Sequence, residues 1–469
     1  MARGDHSIPP AREGSYPVRD GCFVRPLVDG EVAFRRICEA IESAHSRVWG
    51  TVAFLEPDVQ MPDGRGSLFD VLDAAVARGI DVRVIFWRTR VVSKYAHFPG
   101  TADQRAWLEA RGSRFGARWD VLPDDHCHHQ KSWLIDAARV EEVAFVGGIN
   151  LDHASIALRG HAPREQGNVH DVYLELRGPA ATDVHHNFVQ RWNEASEAGE
   201  DHGRWPPGAD VGRLEFPVEL SAPAGDVPVQ ITRTVQAGRY FDDTAAPGAK
   251  AFAIRDGESS IYEQYISAID AARSSIYIED QAIGSLKVVG HLKQALDRGV
   301  HVIFLLPGRC HPAYAEARRA SVLRPFFDFV AGLDASPRFS MAAIESVEAD
   351  GQPHEIYVHA KIMLIDDAWL TIGSTNTADR SFKTDTELNA SIWHPETVKA
   401  LRSELFEEHL GIDTSGLSDI EAFQKFHDRA RDNAWRKLAA MPMDGLAYRL
   451  NASIYGLPRP EQEGADGSS

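Results

Sequence analysis

The sequence predicts an α/β protein built twice: two homologous α/β/α sandwich domains related by pseudo-twofold symmetry, with one site at their interface. Three observations predict it. Apolar stretches of helical spacing alternate with short runs rich in β-branched residues, which is the pattern of a sheet covered by helices. The alternation occurs in two copies within the 469 residues. A short polar pattern then recurs in each copy, at the same offset as the repeats that flank it.

The first copy contains Ala40-Ile41-Glu42-Ser43-Ala44-His45-Ser46-Arg47-Val48-Trp49, a helix end leading into a strand. Its counterpart is Ala268-Ile269-Asp270-Ala271-Ala272-Arg273-Ser274-Ser275-Ile276-Tyr277. A second helix and strand follow in each copy. They span 68–79 and 80–86 in the first, 292–299 and 300–306 in the second. Both helices finish at a glycine, Gly79 or Gly299, the residue that adopts the left-handed cap without a Cβ penalty. The expected domains are 20–200 and 226–455. A Gly-, Pro- and Asp-rich linker at 201–225 joins them, and a polar tail at 456–469 is expected to be disordered.

Composition narrows the function. A 43% apolar and 25% charged chain is of ordinary globular make-up. No run approaches the ~18 apolar residues of a membrane span, and the first residues lack the apolar stretch of a secretory signal. A cytoplasmic location is the expectation. Net charge is −18, which argues against a protein that grips nucleic acid or an anionic surface through bulk charge. The four cysteines, Cys22, Cys38, Cys127 and Cys310, form no CxxC pair, so neither a disulfide framework nor a zinc site of that kind is expected.

The recurring pattern is H-x-K-x4-D followed by G-[GS]-x-N. The first copy supplies His129, Lys131, Asp136, Gly147, Gly148 and Asn150; the second supplies His359, Lys361, Asp366, Gly373, Ser374 and Asn376. Histidine and lysine are alternate residues, so on a strand they share a face. Brought together, the halves offer two imidazoles, two ammonium groups and two amides around one point. That set suits a phosphodiester anion: Lys131, Lys361, Asn150 and Asn376 for the non-bridging oxygens, one neutral histidine as nucleophile and one protonated histidine as acid. A metal at this point is not expected. The cluster of His126, Cys127, His128 and His129 has no counterpart in the second copy, and a lysine two residues on repels a cation.

With these residues the chain resembles the phospholipase D superfamily, whose signature is this doubled motif. In detail it is most similar to the plant and other eukaryote-type enzymes. The stretches that carry the likeness include His128-His129-Gln130-Lys131, 145–151, Val169-His170-Asp171-Val172, 178–184, 187–192, 276–281, Asp379-Arg380-Ser381 and 407–411. The resemblance implies a covalent phosphohistidine, no cofactor and no required metal in the catalytic core. It makes His129 the nucleophile and His359 the acid and base. It also implies an acidic residue behind each histidine: Asp171 fits the first position and Glu387 the second, with Asp385 as a rival. Asp136 and Asp366 are then structural ties. The family's calcium-binding, PX and PH modules have no counterpart before the repeat, so calcium dependence is not carried over. The stretch from Asp136 to Gly147 exceeds that from Asp366 to Gly373, implying a longer hairpin loop that shapes the pocket mouth.

The leading expectation is hydrolysis of a phosphatidylcholine-like glycerophospholipid to phosphatidic acid, with head-group exchange when an alcohol replaces water. A cardiolipin-synthase-type phosphatidyltransferase and a superfamily nuclease are the alternatives, and the acidic balance disfavours nucleic acid. A monomer can supply the complete site. Transient membrane contact would fall to apolar loops, either Phe86-Trp87 with 95–99 or 322–327; both also read as ordinary packing residues.

Overall fold

The computed structural model describes residues 8–89, 98–123, 126–208 and 212–457. The first half contains the strands β1 (Arg19–Val28), β2 (Arg47–Val52), β3 (Asp81–Trp87), β4 (Gly116–Asp120), β5 (Ser132–Ile135), β6 (Val143–Gly147), β7 (Asn168–His170) and β8 (Val172–Arg177). The second contains β9 (Val227–Val235), β10 (Ser275–Glu279), β11 (His301–Leu305), β12 (Phe339–Val347), β13 (Pro353–Val358), β14 (Ile362–Ile365), β15 (Trp369–Gly373) and β16 (Glu387–Ile392).

The strand orders repeat. The first sheet runs β1-β8-β6-β5-β2-β3-β4 and the second β9-β16-β15-β14-β10-β11-β12. The switch of direction falls at the same place in each: β2 is parallel to β3 and antiparallel to β5, and β10 is parallel to β11 and antiparallel to β14. The two sheets are also continuous, because β1 pairs with β9 at Arg19–Val229 and Cys22–Val227. The duplication is thus one joined body rather than two separate sandwiches.

Helices cover the sheets where the repeats predict. α1 (Gly30–Glu42) and α2 (Leu68–Ala77) lie over the first sheet, with α3 (Ala102–Arg111) beside them; α4 (Pro179–Asn193) follows. α5 (Ser260–Ala271), α6 (Leu286–Asp297), α7 (Pro312–Arg319), α8 (Arg324–Gly332), α9 (Asp379–Lys383), α10 (Pro395–Leu410) and α11 (Asp419–Leu438) belong to the second half. α2 starts with a reciprocal cap between Ser67 and Asp70 and ends before Gly79 at φ +85. α6 starts at a Ser285 cap and ends before Gly299 at φ +94.

Three large apolar clusters follow from these layers. One lies under α1 and α2 and includes Phe34, Phe69 and Phe145. A second lies under α5, α6 and α8 and includes Ile269, Leu292 and Phe304. The third draws on both halves at once: Val146, Leu174 and Phe188 pack with Ile231, Ile372, Ala390 and Phe406. Residues before position 20 cross over as well. Gln230 accepts from the Ala11 N–H (3.0 Å) and donates to the Ala11 and Tyr16 carbonyls (2.9 and 3.0 Å), and Trp393 donates to the Ile8 carbonyl. The chain from Ile8 to Tyr16 therefore packs on the second half, before the expected first domain begins.

Two local stretches singled out in the sequence can be placed on the fold. The hairpin loop 136–142 is longer than 366–368, and it follows β5 at the end away from His129, which precedes that strand. Phe86, Trp87 and Phe98 are buried in the first half and offer no membrane contact; Tyr95, Ala96 and His97 lie outside the described residues. In the second loop Val322 and Leu323 are exposed while Phe327 is buried, its ring edge-on to Tyr314 and Phe326.

Candidate active site

The two H-x-K tripeptides sit in extended chain just before β5 and β14 rather than on them. Alternation still holds. Gln130 turns toward α4, accepting from Asn187 at 2.9 Å, while His129 and Lys131 turn to the junction of the halves. Each tripeptide is fastened across that junction by its backbone. The His129 N–H donates to the Thr386 carbonyl at 2.9 Å, and the His359 N–H to the His170 carbonyl at 2.8 Å. Parallel pairing of β7 with β13, which sets Val358 opposite His170, continues the second seam.

Thr386 and His170 immediately precede Glu387 and Asp171, so each seam delivers a carboxylate to the opposite half's imidazole. His359 Nδ1 lies 2.6 Å from Asp171 Oδ2, and His129 Nδ1 lies 3.0 Å from Glu387 Oε2. The pairing is crossed. Asp171 and Glu387 are indeed the acids, but neither stands behind the histidine of its own half, because the seams exchange strands between the halves. Asp385 instead accepts from the Cys127 N–H at 2.7 Å and pairs with Arg380, fixing the loop that leads into His129.

The two histidines are not equivalent. His129 Nδ1 also meets the Ser374 carbonyl at 2.9 Å. A carbonyl only accepts, so Nδ1 must carry the proton and the neutral ring turns the Nε2 lone pair outward. The Ser374 hydroxyl donates to Glu387, which holds that carboxylate in place. In the first half the matching position is Gly148, where a Cβ would come within 2.6 Å of Asp171 Oδ1 and 2.9 Å of Lys361 Cδ. Glycine there leaves room for the close approach of Asp171 and of the second half's lysine.

Both lysines fold back on their own motif. Lys131 Nζ donates to the His129 carbonyl at 2.9 Å and Lys361 Nζ to the His359 carbonyl. Burial, with each lysine acting on both rings, drives His129 and His359 well below the usual imidazole range. Burial and the neighbouring Lys361 bring Lys131 down to about 8. Burial pushes Asp171 up to about 7 and Glu387 up to about 8. Near neutral pH each imidazole–carboxyl pair therefore retains a proton within reach of its ring. The two histidine side chains stay about 7% and 9% exposed, enough to be met from outside.

The remaining predicted residues divide. Asp136, at φ +54, accepts from the N–H groups of His45, Ser46 and Arg47; Asp366, at φ +55, accepts from those of Arg273, Ser274 and Ser275. Both close the turn after a motif strand onto the helix–strand corner of the repeat, a structural tie. Gly147 and Gly373 are held against β8 and β16. Asn376 accepts from Gln281 at 3.1 Å, and Asn150 bonds Asp152; neither amide bonds a motif histidine or lysine. Sequence reasoning missed Phe54, whose ring lies 5.8 Å from His129 and 5.3 Å from Lys131 Nζ. One aromatic between apolar neighbours gave no signal for it. An open cavity of about 730 Å³ lies elsewhere, between Arg12, Val235, Tyr262 and Lys383, and holds no motif residue.

Known proteins share this pattern. The family described as "Cardiolipin synthase, PLD-like domain" matches residues 37–165 and 265–410, and that described as "Phospholipase D" matches 153–304. Phospholipase D A of Dictyostelium discoideum is 25% identical over 80% of this chain and 33% of its own length. Phospholipase D alpha 2 of Oryza sativa subsp. japonica is 24% identical over 87% of this chain and 66% of its own. Cardiolipin synthase 1 of Staphylococcus epidermidis is 23% identical over 85% and 69%. This chain thus spans one third to two thirds of the length of these relatives. Among solved structures, phosphatidylserine synthase of Haemophilus influenzae shares the fold, with a TM-score of 0.56 at 13% identity over 89% of this chain and 95% of that one. With both motifs embedded in the matched regions, the chain belongs to the phospholipase D superfamily.

Proposed function

We propose that the protein is a phosphodiesterase of phospholipase D type, acting on a phosphatidylcholine-like glycerophospholipid through a phosphohistidine. One observation carries the reading: two buried imidazoles, each held at Nδ1 by a carboxylate from the opposite half, flank two buried ammonium groups. His129 attacks phosphorus with the Nε2 lone pair that its two Nδ1 acceptors leave free. The bond from phosphorus to the head-group oxygen breaks, and His359 donates its proton to that oxygen. His359, now neutral, takes a proton from water, whose oxygen displaces His129 from phosphorus. An alcohol in place of water gives head-group exchange.

The acid step needs a charged His359, although burial and the two lysines favour the neutral ring. The phosphodiester supplies the difference. An anion seated between Lys131 and Lys361 offsets the lysines' share of the lowering that burial begins, and the proton held between Asp171 and His359 moves to the imidazole. Asn150 and Asn376 are assigned to the phosphate oxygens on their place in the motif.

A second reading is transfer of a phosphatidyl group to a lipid hydroxyl. Its support is the cardiolipin synthase relative and the family description. Incubation with phosphatidylcholine, phosphatidylglycerol or single-stranded DNA, each with and without ethanol, separates these. Phosphatidic acid from phosphatidylcholine, diverted to phosphatidylethanol by ethanol, is the expected result. Cardiolipin from phosphatidylglycerol alone favours the second reading, and cleavage of DNA alone overturns both.

A further inference from the structure

His170 does more than hold His359 by its carbonyl. Its ring enters a second buried cluster, with Asp29 at the start of α1, His161 from the loop 148–167 and Glu408 on α10. One ligand atom from each of the four lies within 4.8 Å of all the others. His161 Nε2 is 3.3 Å from His170 Nδ1, 3.3 Å from Asp29 Oδ2 and 3.8 Å from Glu408 Oε1. His170 Nδ1 is 3.0 Å from Asp29 Oδ1. Nitrogen and oxygen ligands about 2.0–2.2 Å from a tetrahedral zinc stand roughly 3.3–3.5 Å apart, close to the spacings of His161 Nε2 from His170 Nδ1 and from Asp29 Oδ2.

Three features single the cluster out from an ordinary hydrogen-bond network. Glu408 Oε2 is buried with no hydrogen-bond partner among the described residues, its other oxygen accepting from the Gly160 N–H, and Asp29 Oδ2 meets only the His161 ring nitrogen at 3.3 Å; such carboxylate oxygens are costly unless something positive meets them. Two ring nitrogens face each other at 3.3 Å, where only one proton fits between them. No lysine or arginine is ion-paired with Asp29, Glu408 or the adjoining Glu279 among the described residues. The far nitrogen of His170, Nε2, meets Glu279 Oε2 at 3.0 Å, the carboxylate–histidine arrangement that orients a metal-bound imidazole.

We propose that Asp29, His161, His170 and Glu408 bind one divalent transition-metal ion of zinc type. All four positions are filled by protein, so the site is structural and leaves no place for substrate. The ion ties α1, the loop 148–167 and α10 to the strand whose carbonyl receives the His359 and Ala360 N–H groups. It thereby fixes the backbone that presents one catalytic imidazole, without taking part in the chemistry.

Elemental analysis of the full-length, tag-free protein tests this, and it is independent of the phospholipid reading. About one zinc per chain is expected, with its removal by chelator lowering the Tm. Cobalt added to the stripped protein should give the intense visible bands of a tetrahedral site. His161→Gln and Glu408→Gln should each lose the metal, while His409→Gln, in the adjoining cluster, should retain it. Should the variants fail to fold, the cobalt spectrum of the unaltered chain decides. Native protein without metal that also gives no cobalt bands, or His161→Gln with full zinc content, overturns the proposal.

Discussion

Lys131 is where burial has its most measurable consequence. Two ammonium groups and two imidazoles share one buried pocket, and the burden falls on whichever group can shed a proton. Its amine is lowered to about 8, so it is charged below that pH and neutral above it. The phosphate then loses half of its positive cradle as pH rises through 8. We expect kcat/KM of the native enzyme to fall along that limb. Lys131→Arg keeps its charge throughout and should lose the limb, while running well below the native rate because a planar guanidinium replaces a point charge. A pH–rate series on both proteins checks this. The same crowding predicts that Lys131→Met, without the buried charge, gains on the order of 1 kcal/mol in stability and loses turnover, as measured by denaturant unfolding.

Among the elements, the two G-[GS]-x-N turns look alike but fail differently. At Gly373 a Cβ would meet Asn389 Oδ1 at 2.1 Å and the Leu388 carbonyl at 2.4 Å. The second obstacle is backbone, so Gly373→Ala should cost several kcal/mol by forcing β15 from β16. At Gly148 the obstacles are side-chain atoms of Asp171 and Lys361, which can move. Gly148→Ala should keep the fold and lower kcat by loosening the Asp171–His359 bond. Thermal melts and turnover measured on both variants separate the two cases. This difference marks what the sequence makes legible. Motif spacing is local, so His129, Lys131, His359, Lys361 and the two aspartate ties can be read directly. The crossed partnership of Asp171 with His359 cannot, because it depends on β7 lying beside β13, a contact between residues about 190 positions apart. Phe86 and Trp87 were open to either reading because an apolar pair on a strand has the same pattern in a core and at a surface.

For the whole molecule, the shared apolar cluster is the governing feature. Val146, Leu174, Ile372 and Ala390 come from both sheets, and the chain from Ile8 to Tyr16 is packed on the half that it does not precede. Neither half can open without exposing the other's core. Scanning calorimetry should therefore show one endotherm with matching calorimetric and van't Hoff enthalpies; two resolved endotherms would show that the halves fold independently. The duplicated strand order was foreseeable from the repeated helix–strand units. The joining of the sheets at β1 and β9 was not, since it rests on two backbone pairings without a side-chain pattern.

The central claim is that one imidazole bonds phosphorus while the other moves protons. The most direct test uses a phosphodiester with a nitrophenyl leaving group, which departs without an acid. In His359→Asn, attack should proceed and release stall, so alkaline quenching and peptide mapping should find the phosphoryl adduct on His129. An adduct on His359 in His129→Asn, or none in either variant while nitrophenol is still released, would contradict the account.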